Sequence, residues 1–231
     1  MPASLQKKLK PPGTRDRILA TAERLFADYG YDGVSMRRIG AEADAPIALI
    51  AYHFGSKEKL YRAVFEHRIA PLSERRRAAL AQARAAPGAP PSIEAVLDAL
   101  ARPWIEMRDT EEGRHYTRLI AREVNDPREA ERGIVRDLLD PIALEFLHAM
   151  AQALPGRPRA DVHWGYHVFV STLLLTLANP ERVVRLSGGS IDQLSGEDTV
   201  GQLVRFVARS LTATTPRPSD ASALRGPDAQ P

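Results

Sequence analysis

Apolar residues recur at helical spacing along most of this chain, and the two-residue alternation of a strand is nearly absent. Ile18, Ala22, Leu25, Phe26 and Tyr29 define one face of a first predicted helix, with Thr14 as its cap and Gly30 at its C-terminal stop. Ser35 caps a short second helix, Met36 to Ala43, which turns Ile39 and Ala43 inward. Asp44-Ala45 leads into a third short helix from about Pro46 to Phe54, because proline is well tolerated in a first helical turn. Gly55-Ser56 breaks it. Ser56 then caps a fourth helix that opens Lys57-Glu58-Lys59-Leu60, with acid in its first turn and Leu60, Val64 and the aliphatic part of His67 on one face. Pro71 is expected to kink or interrupt this helix before it continues towards Arg84.

The segment Ala85 to Pro91, rich in Ala, Pro and Gly, marks a break. Behind it, helices are predicted near 92–109, 113–125, 128–154 (bent at Pro141), 160–179 and 198–213, with a loop and a short helical turn between Asn179 and Glu197. The expected fold is all-α. A basic flexible arm (1–13) precedes a three-helix head (14–55), a linking helix (56–84) and a larger helical domain (92–213), and a disordered tail closes the chain (214–231).

Composition narrows the class. Of 231 residues, 44% are hydrophobic and 26% charged, which excludes general disorder. Cysteine is absent, so disulfides, thiolate metal sites and thiol nucleophiles are excluded, in keeping with a reducing compartment. The longest apolar run, Val168 to Ala178, is interrupted by Ser171 and Thr172 and falls short of the ~20 residues a spanning helix needs. No apolar stretch follows the basic N-terminus, so a secretory signal is not expected, and a cytoplasmic protein without a membrane partner is. Charge is uneven: residues 1–70 carry 12 basic against 8 acidic residues, and the remainder 20 against 21. A basic front end on a neutral body suits contact with a polyanion, although a solvated basic face has the same signature.

Residues 35–60, SMRRIGAEADAPIALIAYHFGSKEKL, carry the most information. Two short helices around a tight turn have the proportions of a helix-turn-helix, whose second helix enters the major groove. Ser35 and Ser56 at helix starts, Lys57 beside one of them, and Tyr52 and His53 at the end of the third helix can hydrogen-bond to phosphates, and Arg37 and Arg38 add charge. The same residues also fit a helical hairpin that binds no nucleic acid, with Tyr52, His53 and Phe54 as core.

The segment resembles the DNA-binding domain of the TetR family of bacterial one-component regulators. The resemblance rests on Ser35, Ile39, Ala43, Tyr52-His53-Phe54, Lys57 and Leu60, with Phe26, Gly30 and Gly33 upstream, and covers roughly residues 14–65. It implies that Ser35, Tyr52, His53 and Lys57 contact phosphates and that the face Pro46, Ile47, Ala48 and Leu49 meets base edges. Three positions depart from the pattern. Asp44 stands where the turn often has Gly, Pro46 where the recognition helix usually starts with Ser, and Ala51 at a frequently aromatic position. Pro46, Ile47, Ala48 and Leu49 offer no side-chain donor, so this helix cannot read guanine bidentately; Arg37 or Arg38 would have to supply that contact. Thymine methyls, DNA shape and phosphates are the readout that remains.

In the body, the 160–179 helix is apolar almost all round from Val168 onward. The 198–213 helix carries Val200, Leu203, Val204, Val207 and Leu211 on one stripe. The two could pair with their copies across a two-fold axis in a homodimer, as TetR-like regulators do, or the first could be core alone. An effector pocket is expected from Trp104, Met107, Tyr116, Phe146, Trp164 and His167, with Arg118 or Arg122 turned inward to meet an amphipathic anion. The alternative is a core of aromatics with solvated, paired arginines. Pro103 to Leu211 is also similar to the C-terminal domain of fatty-acid-responsive members of the family, which implies a fatty acid or acyl-CoA as effector. His163 and His167 have the i, i+4 spacing of a two-histidine metal pair, but no glutamate lies between them, so no metal or other cofactor is expected. The resulting expectation is a ligand-responsive repressor, a homodimer on a palindromic double-stranded operator and not an enzyme. An all-helical small-molecule- or metal-binding enzyme with a basic surface, and a helical protein-interaction adaptor, are the competing readings.

Overall fold

The computed structural model describes residues 13–84, 89–190 and 195–213, and every regular element among them is helical. The expected arm and tail, and most of the Ala85–Pro91 break, lie outside the described residues. Three helices form the head: α1 (Thr14–Tyr29), α2 (Met36–Glu42) and α3 (Ile47–Phe54). A long helix, α4 (Lys57–Gln82), leads to the body. There α5 (Ile93–Arg108), α6 (Glu111–Glu123), α7 (Glu129–Arg132), α8 (Asp140–Ala153), α9 (Arg159–Ala178), α10 (Glu181–Leu186) and α11 (Gly196–Thr212) follow.

Small hydroxyl residues start the helices as their spacing predicts. Ser35 Oγ accepts from the Arg38 N–H at 3.1 Å and Ser56 Oγ from the Lys59 N–H at 3.2 Å. Ser92, Thr110 and Ser195 do the same for α5, α6 and α11. Thr14 is an exception: Gly13 holds the cap position and makes no side-chain bond, so α1 begins without a hydroxyl cap. Gly30 ends α1 at φ 73°, its N–H bonded to Phe26 O.

In the tight turn between α2 and α3, Asp44 occupies the left-handed region at φ 46°. A short side chain with its own hydrogen-bonding capacity is the usual non-glycine choice there. A β-carbon on Gly40 would come within 2.8 Å of Ala45 O, so the approach of the turn to α2 requires glycine.

Two expectations about proline are corrected. Pro71 does not interrupt α4, which is one helix of 26 residues. The single bent helix predicted over 128–154 is instead α7, a π-helical turn at Val135–Leu139, and α8. Gly133, in the left-handed region at φ 63°, ends α7, and Pro141 stands in the first turn of α8, where its missing N–H is no loss.

The core is continuous between head and body. Phe26 and Tyr31 of the head meet Tyr61 edge-on, at centroid distances of 4.8 and 4.9 Å. Tyr61 meets Phe65 at 5.1 Å, Phe65 meets Tyr116 at 5.9 Å, and Tyr116 stacks on Trp104 at 5.9 Å and 12°. Such offset and edge-to-face contacts add roughly 0.5–1.5 kcal/mol each beyond burial. α1 also packs against α6, so the head rests on the body directly as well as through α4.

Candidate nucleic-acid interface and ligand cavity

Ile50 and Phe54 anchor the inner side of α3 in the head core. That leaves Pro46, Ile47, Ala48, Ala51, Tyr52 and His53 exposed and Leu49 half-buried. Tyr52 is 83% exposed, which no core role explains. Ser35, although its oxygen caps α2, keeps its hydroxyl hydrogen free to donate to an anion. Lys57 lies with its ammonium 4.3 Å from the Tyr31 ring centroid. Burial against the ring lowers its pKa, Asp32 opposing and Arg128 adding to the shift.

The two adjacent arginines differ in freedom. Arg38 is held by Glu42 at 2.9 Å and stacked over Tyr29 at 3.9 Å; Glu42 in turn pairs with Arg24. These hydrogen bonds raise the Arg38 pKa and lower that of Glu42. Arg37 is exposed and makes no ion pair among the described residues. It is the freer of the two for a base edge or a phosphate.

A cavity of about 690 Å³ opens in the body between α4, α5, α6, the π-helical turn, α8 and α9. Ile120, Val124, Val135, Leu139, Val170 and Leu174 supply most of its apolar wall. Of the expected effector residues, Trp104 and His167 line it; Met107, Tyr116, Arg118, Arg122, Phe146 and Trp164 do not. Phe146 is fully buried in the core, Met107 packs against that core, and Tyr116 is fully buried behind Trp104. Trp164 is 67% exposed on the outer face of α9.

Arg118 and Arg122 point the other way, to the head. Arg118 pairs with the Asp28 carboxylate at 3.0 Å, and Arg122 donates to Asp28 O at 3.2 Å. Further ties run through α4, which holds buried Glu23 of the head through Arg68 at 2.6 Å and Glu123 of the body through the Tyr61 hydroxyl at 2.8 Å, while Arg128 joins Asp32 of the head directly. Burial raises the Glu23 pKa, and the Arg68 bond counters it.

The inward-facing arginine is Arg76 of α4, a residue the sequence analysis passed over. Ile69, Leu72, Ser73 and Arg76 form the buried stripe of the second half of α4, so its place in an apolar periodicity was a readable signal.

On the outside of the body, α9 exposes Trp164, Val168 and Leu175 along one face and α11 exposes Phe206. His163 and His167 are exposed on α9, with His163 Nδ1 2.7 Å from Arg159 O. Among the described residues no group of three or more ligand-type side chains could hold a metal ion. No helix there is long and apolar enough to cross a membrane.

A described structure that is all-helical, with a three-helix head on a buried core and the second helix of a helix-turn-helix facing outward, defines the helix-turn-helix DNA-binding class. Residues 18–64 match the model described as bacterial regulatory proteins, tetR family, and residues 98–209 the model described as tetracyclin repressor-like, C-terminal domain. The chain is 30% identical over 187 residues to the repressor AcnR of Corynebacterium diphtheriae, covering 78% of this chain and 85% of that one. This chain belongs to the TetR family.

Other matches are more local. The AcnR repressor of Corynebacterium efficiens is 38% identical over 65 residues, 28% of this chain and only 35% of that protein, so the chain spans about a third of that relative. In fold, the chain is similar to the fatty acid degradation regulator FadR from Bacillus halodurans, with a TM-score of 0.63 at 14% identity over 90% of this chain and all of that one. It is similar, too, to FadR from Bacillus subtilis solved in complex with stearoyl-CoA, with a TM-score of 0.62 at 12% identity over 84% of this chain and 97% of that one.

Proposed function

We propose that this chain is a ligand-responsive repressor that binds a palindromic DNA operator as a homodimer and is released by a small organic effector. The exposed α3 face carries the DNA half of this reading. Pro46, Ile47, Ala48 and Leu49 would approach thymine methyls in the major groove, while Ser35, Tyr52, His53 and Lys57 would hold phosphates on either side and Arg37 would add a further contact. Four apolar residues give such a helix no bidentate readout of guanine, so sequence preference would come from methyl contacts and DNA shape. The repressor names of the AcnR relatives support the direction of regulation.

The second copy would pair through α9 and α11. Trp164, Val168, Leu175 and Phe206 form an exposed apolar surface that a two-fold partner would cover with the same residues. Two heads would then sit in successive major grooves, ~34–36 Å apart.

The cavity would take the effector. α6 and the turn after it present Ile120, Ala121, Val124 and Asn125 to it, and α6 presents Arg118 and Arg122 to α1, so a ligand that repositions α6 acts directly on the head. The effector lowers DNA affinity to the extent that it favours the displaced arrangement. The test is retention of a specific genomic fragment against excess competitor DNA at physiological salt, with release when an effector is added. Retention that vanishes with competitor overturns the reading.

A further inference from the structure

We infer that the cavity takes a monoanionic, otherwise apolar organic molecule, anion first, with the Arg76 guanidinium as its counter-charge. This deepens the effector reading above and rests on it. Arg76 is only 5% exposed and lines the cavity. Its Nε donates to Leu100 O at 3.2 Å, and its guanidinium carbon lies 5.0 Å from the Trp104 ring centroid. No carboxylate among the described residues pairs with it, and burial pushes its pKa down to about 10, with Tyr166 and Tyr116 the groups that oppose the shift.

A buried guanidinium with unused donors is costly, and an anion brought by a ligand removes the cost. The Tyr116 hydroxyl, behind Trp104, is likewise buried without a hydrogen-bond partner. The volume, about 690 Å³, falls in the range of small-molecule sites.

The remaining charges set the direction. Asp140 and Glu129 also line the cavity, Asp140 among its exposed residues together with Ser171, Leu175 and Asn179. Glu129 Oε1 accepts from the Val135 N–H at 3.0 Å and stays away from Arg76. Burial, with Glu129 adding to it, raises the Asp140 pKa, while Arg136 acts against that rise. His167 and Tyr166 are the other titratable groups on the wall, and burial raises the Tyr166 pKa while Arg76 opposes the rise. A ligand anion is therefore attracted to the buried end and repelled at the open one. A second anionic group on the ligand would lie against Asp140 and Glu129. An acyl-CoA entering tail first would press hydrocarbon on the unpaired guanidinium and leave its phosphates near the two acids. A free monocarboxylate satisfies both ends.

The test is calorimetric titration of the full chain with hexanoate, decanoate and benzoate, with hexanol, decanol and benzyl alcohol as neutral matches, and with decanedioate and decanoyl-CoA. At least one monocarboxylate is expected to bind about tenfold or more tightly than its alcohol, since charge-assisted bonds to guanidinium are the strong ones. Arg76→Met removes that preference and Arg76→Lys keeps part of it. Unliganded Arg76→Met melts at or above the wild-type temperature, because an uncompensated buried charge has gone. Absence of any carboxylate preference, a preference that survives Arg76→Met, tighter binding of the diacid or the CoA ester, or a Met variant that melts several degrees lower would each overturn the inference. Specific DNA retention measured in parallel separates the two readings: if it persists, only the anion assignment fails, and if it is lost, the repressor reading fails.

Discussion

Arg118 donates to the Asp28 carboxylate at 3.0 Å, joining the cavity-lining helix α6 of the body to the first helix of the head. Both side chains are partly exposed, so the pair contributes little to stability, roughly 0.2–1 kcal/mol by the record of such pairs. Its value is positional. A double-mutant cycle with Asp28→Asn and Arg118→Met is expected to give a coupling energy in that range by urea unfolding. Unliganded operator affinity should stay within about twofold, while the effector-induced drop in affinity shrinks. An equal loss of both affinities would contradict the role.

The proposed interface gives Lys57 a phosphate to hold and no base to read. Lys57→Gln should weaken binding about equally on specific and unrelated DNA and lower the slope of log K against log salt by about 1. Fluorescence anisotropy over a salt series reads both quantities. A change confined to the specific site would assign Lys57 to base reading instead.

The apolar outer face of α9 predicts the oligomeric state. Val168→Glu, at an exposed position of the same face that does not line the cavity, puts two like charges at the seam of the proposed dimer while leaving the core untouched. Sedimentation should show a monomer where the wild type is a dimer, and operator affinity should fall at least tenfold. A monomeric wild-type chain would remove α9 from the interface.

Asp44 sits at φ 46° in the turn before α3. Asp44→Gly relieves a left-handed backbone, which costs non-glycine residues roughly 1 kcal/mol, against the added entropy of an unfolded glycine. A net gain of up to ~0.5 kcal/mol is expected in urea unfolding, with DNA affinity unchanged.

Acid should weaken the head through Glu42. The Arg24 and Arg38 hydrogen bonds hold its folded pKa below its ordinary value of 4.5. Its stabilising contribution is thus present above that value and lost as pH falls through the lower folded one. The difference in urea midpoint between wild type and Glu42→Gln should shrink between pH 7 and pH 3, and a constant difference would contradict the assignment.

The head was readable because short-range chemistry specifies it. Ser35 and Ser56 cap, Gly30 stops, and Ile18, Ala22, Leu25 and Phe26, like Ile39 and Ala43, repeat at helical spacing, all within 45 residues. The cavity was not, because helices far apart in the chain build it. Arg118 and Arg122 look equally suited to point inward or to solvent until the position of α1 is known, and Asp28 decides the matter. Trp164 and Phe146 have the same composition signal but opposite surroundings, one outside and one sealed. Pro141 and Gly133 show a related ambiguity: both disturb a helical pattern, and only the fold shows one as a start and the other as a stop.

The aromatic row from Tyr31 through Tyr61, Phe65 and Tyr116 to Trp104 crosses the border between the two family-model segments. At protein-interior density a ring cannot be traded for a smaller one without leaving a void. A chimera that grafts the reading head of one relative onto the sensing domain of another therefore inherits two half-columns cut for different partners. Grafts that exchange Tyr31, Tyr61, Phe65, Tyr116 and Trp104 as a set should keep their response, whereas grafts cut at residue 56 should bind DNA yet ignore the inducer.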